Sequence, residues 1–235
     1  MAMATAKKLA GERSTTARAR RASTPARGRA RKAAQPAARD TYHHGNLAQS
    51  LAEAAEAVLR DVGLHGFSLR ECARRAGVAH SAPAHHFGDV AGLLTEVAAR
   101  GFDNLTASMQ RERGGATGPQ ALASIGRGYV RYATGDPVIF ALLFDRERLS
   151  LHSERLQAAG QRAFAELVSA VASARGVEPA QVNEDDLRFA WSGVHGLSNL
   201  LMSGAIGPSK PVDEETTTQG TIGRIVHAVV TRGGR

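Results

Sequence analysis

The sequence predicts an all-α protein: a small N-terminal three-helix helix-turn-helix domain followed by a larger C-terminal helical domain. Three observations predict this. Apolar residues recur at three- and four-residue spacing through nearly all of the chain after residue 40, with no alternating strand pattern of useful length. The breaks between periodic stretches are turns rich in Gly and Pro. In "SLRECARRAGVAHSAPAHHF", residues 68–87, a capped short helix, a glycine turn and a second short helix follow one another closely.

The first element is a helix over residues 46–62, with Leu47, Leu51, Ala55, Val58 and Val62 on one face and Gly63 as its stop. Ser68 and Glu71 then form a capping-box pattern for a helix over 68–76, with Leu69, Cys72, Ala73 and Ala76 facing inward. Gly77 suits the left-handed residue that ends such a helix. Pro83 falls in the first turn of the next helix, 80–87, where a missing amide costs little. Asp89 caps a fourth helix whose stripe runs through Val90, Leu93, Leu94, Val97, Gly101, Leu105 and Met109. Further helices are expected over 119–133, from Pro137, over 153–175, over 184–202, and around residues 222–230. Glu184, Asp185 and Asp186 complement the dipole at the start of the 184–202 helix.

Charge is unevenly placed. Residues 1–39 hold eleven Lys/Arg and one acid, a net charge of +10, which leaves −2 for the other 196 residues of a chain of net charge +8. This basic tail has almost no large apolar residue after Leu9, so disorder is expected over 1–39. It reads as a solvated extension, as an arm attracted to phosphates, or as a transit peptide; the lack of an apolar core after the charges excludes a secretory signal. A single cysteine, Cys72, fits a reducing compartment, and no apolar run is long enough for a membrane span, so a cytoplasmic protein is expected.

A short helix braced on a longer one can project into a DNA major groove. "YHHGNL" at residues 42–47, "SLRECARRAGV" at 68–78 and "HHFGDVAGLL" at 85–94 resemble the DNA-binding domain of the TetR family of transcriptional regulators. "YVRYATGDPVIFALLF" at 129–144 and "WSGVHGLSNLL" at 191–201 resemble a branch of that family with a Trp and then His-Gly, here Trp191, His195 and Gly196. The resemblance implies a DNA-binding domain over 40–102 and a ligand-binding and dimerisation domain over 103–235. It implies a homodimer through the last two helices, an operator on double-stranded DNA, and a small-molecule effector that releases the DNA from a repressor. No cofactor or metal is implied, and the function is not that of an enzyme.

Carried over position by position, the DNA-contacting set is Tyr42, His43 and His44 before the first helix, Ser68 and Arg70 at the second, and His80, Ser81, Ala82, Ala84 and His85 at the third. Arginine suits guanine N7 and O6. Two positions depart from the family pattern: Ala84 stands where a tyrosine is usual and Val90 where a lysine is usual. The domain over 42–102 holds five Lys/Arg against six acids, so either the basic tail compensates or sequence-specific DNA binding is weakened or lost. The second possibility leaves a helical ligand- or protein-binding dimer.

The candidate pocket comprises Tyr129, Tyr132, Phe140, Phe144, Phe164, Trp191, His195 and Asn199. The aromatics are core residues or cavity walls, and His195 is a core histidine or a ligand contact. Leu187, Leu197, Leu201 and the 222–230 stripe are core or dimer seam. Six of the nine histidines lie between His43 and His86, but His85 and His86 point to different faces and His86 is expected to pack inward beside Phe87, which argues against zinc. No nucleophile–base pair, framed carboxylate pair or phosphate-cradling loop is present, and "GLHGFS" follows no strand.

Overall fold

A computed structural model describes residues 44–206 and 214–231. The basic tail over 1–39, Tyr42, His43 and the His44 side chain lie outside the described residues. The elements are α1 (His44–Val62), α2 (Leu69–Arg75), α3 (Ala82–Phe87), α4 (Val90–Arg113), α5 (Gly118–Gly135), α6 (Pro137–Leu143), α7 (Glu154–Arg175), a 3₁₀ turn (Pro179–Gln181), α8 (Glu184–Met202) and α9 (Glu214–Thr231). The described residues contain no strand.

Local signals set most boundaries. Ser68 accepts the Glu71 amide at 3.3 Å and starts α2. At its end Val78 N donates to Ala73 O at 3.0 Å and Gly77 N to Arg74 O at 3.3 Å, with Gly77 at φ +68°, a Schellman closure. Asp89 caps α4 by accepting from Gly92 N at 2.8 Å. Asp136 ends α5 and starts α6, where its carboxylate accepts from Ile139 N at 3.4 Å and Pro137 occupies the first turn.

Several expectations are corrected. The helix expected from His80 begins at Ala82, because His80 and Ser81 lie in a turn closed by Ala82 N donating to Ala79 O at 2.9 Å. The capping box at α2 is half formed: the Glu71 carboxylate takes Arg74 and Arg75 instead. His44, expected ahead of the first helix, is its first residue. Val90 stands 42% exposed rather than in the buried apolar stripe that begins at Leu93. His86 is exposed and meets Phe87 only edge to face, ring centroids 4.7 Å apart. The 3₁₀ turn was not expected.

α1 to α3 pack around Ala55, Val58, Leu59, Cys72 and Leu93. Burial pushes the Cys72 thiol up to about 11, which leaves it an unreactive apolar filler. α4 continues unbroken through residues 102 and 103 and packs on α5, α6 and α7. Ion pairs bind the outer helices together. Asp103 on α4 holds Arg155 and Arg162 of α7, the latter at 2.6 Å. Arg175 of α7 meets Asp186 of α8 at 3.3 Å and donates to Val229 O of α9 at 2.8 Å.

α4 and α5 approach closely at Gly128. A Cβ there would stand 2.7 Å from Met109 Cα and 2.7 Å from Ser108 O, and the Ser108 hydroxyl already donates to Gly128 O at 2.8 Å. Backbone cannot yield as a side-chain tip can. Gly128→Ala is therefore expected to lower stability by about 1–3 kcal/mol through overpacking, read as a shifted urea midpoint with unchanged slope.

Candidate DNA-reading head and internal cavity

On the head, α2 separates its three arginines by their partners. The Arg74 guanidinium donates to Glu71 at 2.8 Å and 2.6 Å. Arg75 donates to Glu71 at 2.9 Å and to Asp61 at 2.5 Å. These hydrogen bonds from Arg74 and Arg75 bring the Glu71 carboxyl down to about 2, so it stays ionised. Arg70, on the exposed side of α2, has no ion-pair partner among the described residues. It is thus the α2 arginine free to meet an outside acceptor.

α3 presents a narrow face. Ser81, Ala84 and His85 are exposed, as is His80 in the preceding turn, while Ala82 is half-buried. Pro83 is fully buried and anchors the helix from beneath. His86 joins the exposed set that sequence reasoning left it out of. Ala84 and Val90, both exposed, offer no hydrogen-bond donor to a phosphate.

Head and body meet at a polar joint. Arg60 of α1 donates to Asp136 between α5 and α6 at 3.0 Å and to Glu56 at 3.2 Å. Arg100 of α4 donates to the same Glu56 at 2.9 Å. Beside it lies Tyr132, whose buried hydroxyl has no hydrogen-bond partner among the described residues. Burial, with Asp136 and Glu56 adding to it, pushes that phenol well above its ordinary range.

The body holds a cavity of about 1080 Å³, partly open to solvent, between α4, α5, α7, α8 and α9. Tyr129, Phe144, Phe164 and Trp191 of the candidate set line it; Tyr132, Phe140, His195 and Asn199 do not. Tyr132 turns to the joint. Phe140 is buried behind the wall, edge to face with Tyr129 at 5.4 Å and with Phe144 at 5.3 Å. His195 forms a second layer: its Nδ1 lies 2.8 Å from the Tyr129 hydroxyl, and its ring meets Phe144 at 4.7 Å. Asn199 is exposed and its amide donates to His195 O at 3.0 Å. His195 is therefore a hydrogen-bonded support for the wall.

Sequence reasoning missed other wall residues. Leu105 and Met109 of α4 read only as an apolar stripe, and Leu122 and Ile125 of α5 were not singled out, yet all four line the cavity. Arg146, in the α6–α7 loop, and Gln157 and Gln161 of α7 also line the cavity. No periodic signal separates Arg146 from Arg148 two residues on, yet Arg148 pairs with Asp145 at 2.6 Å and Arg146 pairs with no described residue.

A short exposed helix beside an arginine unpaired among the described residues, carried on a body with a largely apolar cavity, has the architecture of a helix-turn-helix regulator. Residues 51–97 match the family "Bacterial regulatory proteins, tetR family", and residues 122–223 match "Tetracyclin repressor-like, C-terminal domain". The chain belongs to the TetR family, a class of ligand-responsive DNA-binding transcriptional regulators. The HTH-type transcriptional regulators BetI of Pectobacterium carotovorum subsp. carotovorum and Pectobacterium atrosepticum are 48% identical to it over 46 residues, 20% of this chain and 24% of theirs. The match thus spans about a quarter of the length of those curated relatives. A protein of unknown function from Rhodococcus sp. RHA1 has a solved structure that is 30% identical, with a TM-score of 0.64 over 79% of this chain and 97% of its own. AibR, solved in complex with isovaleryl coenzyme A and operator DNA, shares the fold at 19% identity and a TM-score of 0.53, over 76% of this chain and 97% of its own. Among the described residues no helix is long and apolar enough to cross a membrane.

Burial lowers the proton affinity of His195 in the folded protein. The unfolded chain then binds the extra proton as pH falls below about 6.5, so this residue's contribution is complete above that value and declines towards acid. Measured by urea unfolding, the stability gap between wild type and His195→Gln is expected to narrow from pH 7.5 to pH 5, because the other histidines are common to both proteins.

Proposed function

We propose that the chain is a cytoplasmic, homodimeric transcriptional repressor that leaves its operator when a small molecule fills the cavity. The single observation that carries the reading is the unpaired Arg70 beside the exposed face of α3, on a head joined through unbroken α4 to that cavity. The reading head comprises residues 40–102 and the ligand-binding and dimerisation domain residues 103–235. Arg70 reads a guanine edge; His80, Ser81, Ala82, Ala84 and His85 approach bases, and Tyr42, His43 and His44 the backbone. The Trp191, His195 and Gly196 pattern supports placing the body in the corresponding branch of the family.

Dimerisation through α8 and α9 is supported by apolar side chains left at their surface, with Leu200 at 45% and Val230 at 37% exposure. Two heads related by a two-fold axis would meet half-sites about one helical turn apart. The basic residues before position 40 supply the phosphate attraction that Ala84 and Val90 lack. The protein acts by binding and catalyses no reaction.

Selection of an operator from random duplexes with the full chain, followed by gel shift, tests this. Arg70→Ala is expected to weaken the selected operator by about tenfold to a hundredfold, the cost of roughly 1–3 kcal/mol for a lost bidentate base contact, with little change on unrelated DNA. Exposed Ala84 and Val90 favour one second reading, a helical ligand- or protein-binding dimer without sequence-specific DNA binding. That reading holds if no sequence is selected and if Ala84→Tyr combined with Val90→Lys then creates binding.

A further inference from the structure

We infer that the cavity ligand is an anionic amphiphile: a long apolar body ending in a carboxylate or phosphate-bearing head that Arg146 receives. This deepens the assignment of the cavity as the effector site and rests on it. The argument begins with charge. Among the described residues, Arg146, which is exposed, is the one charged side chain on the cavity wall, and no described Asp or Glu lines it. A cationic ligand would find no counter-charge there. Nearby arginines are already engaged: Arg148 with Asp145, and Arg155 with Asp103. Arg146 has no such partner among the described residues and keeps its guanidinium donors for an incoming anion.

The rest of the wall defines the body of the ligand. On α4, α5 and α9 the lining side chains include Leu105, Met109, Leu122, Ile125, Ile222 and Val226, all without polar atoms. The Tyr129 hydroxyl is engaged by His195 Nδ1 at 2.8 Å, and the Ser169 hydroxyl accepts from Arg113 at 3.0 Å. A ligand polar along its length would bury groups with nothing to bond. Uncommitted polar capacity lies instead on α7. Gln161 stands one turn of α7 beyond Gln157, whose amide nitrogen is taken by Leu151 O at 2.9 Å while its carbonyl oxygen remains. The uncommitted polar groups of the site are therefore on the α6–α7 loop and α7, and its α4 and α9 walls are apolar. At about 1080 Å³ it lies at the top of the usual range for small-molecule sites, which suits a long chain or fused rings.

The only tryptophan of the chain, Trp191, lines this cavity and reports occupancy. Full-length protein is titrated, below micelle-forming concentrations, with dodecanoate, dodecanoyl coenzyme A, methyl dodecanoate and dodecyltrimethylammonium while Trp191 emission is followed. The expected result is that at least one of the two anions binds about tenfold or more tighter than the cation. Which anion wins tells a free carboxylate from a coenzyme A phosphate head. Arg146→Met is expected to remove that preference and leave methyl dodecanoate unchanged, and Arg146→Lys to restore part of it. Equal or tighter binding of the cation, or an unchanged anion preference in Arg146→Met, overturns the anionic head and leaves the cavity as effector site. If all four probes leave Trp191 emission unchanged on protein that still binds its operator, both the anionic head and the cavity assignment fall.

Discussion

α4 has to satisfy two packing problems with one uninterrupted helical register. Its N-terminal half closes the head, where it packs on α1 and α3 and buries Leu93, Leu94 and Val97. Its C-terminal half enters the body, where Leu105 and Met109 form part of the cavity wall. A helix keeps its faces in fixed relation along its length, so the orientation of the wall and the orientation of the head are set by the same rod. The polar joint adds a second tie. Glu56 gathers Arg60 and Arg100, and Arg60 reaches Asp136, the residue on which α6 begins.

On the head one arginine is left without a described partner by subtraction. Five basic and six acidic side chains over 42–102 give no favourable field. Glu71 and Asp61 nevertheless absorb Arg74 and Arg75 and leave Arg70 available. The cavity uses the same device, with Asp145 engaging Arg148 and leaving Arg146. In both places an arginine becomes available because a neighbour one turn or less away has its carboxylate partner, which is a property of side-chain geometry and not of net charge.

Features decided within four or five residues were legible in the sequence. The Ser68 and Asp89 caps, the Gly77 closure, the Pro137 start of α6 and the bounds of α8 depend on hydrogen bonds to near neighbours. Features decided by the arrival of a distant helix were not. Tyr129 and Tyr132 stand three residues apart on α5, yet one walls the cavity and the other faces α6 and the joint. His195 shares α8 with Trp191 but is drawn behind the wall by the Tyr129 hydroxyl. Val90 looked apolar and inward by spacing, but it stands 42% exposed while Leu93, three residues on, is fully buried. Arg146 lies in a loop, where periodicity carries no information.

The length of α4 has a mechanical consequence. From Leu105 in the wall to Val90 beside the reading helix the rod spans 15 residues, about 22 Å. A pivot of about 5° near Leu105 would carry the far end about 2 Å sideways, several times the tolerance of roughly 0.5 Å within which a hydrogen bond to a base edge keeps its length. Because α3 is bound to that end through Gly88 and the Asp89 cap, a slight reshaping of the wall would be magnified into a misfit on the duplex without any unfolding of the head.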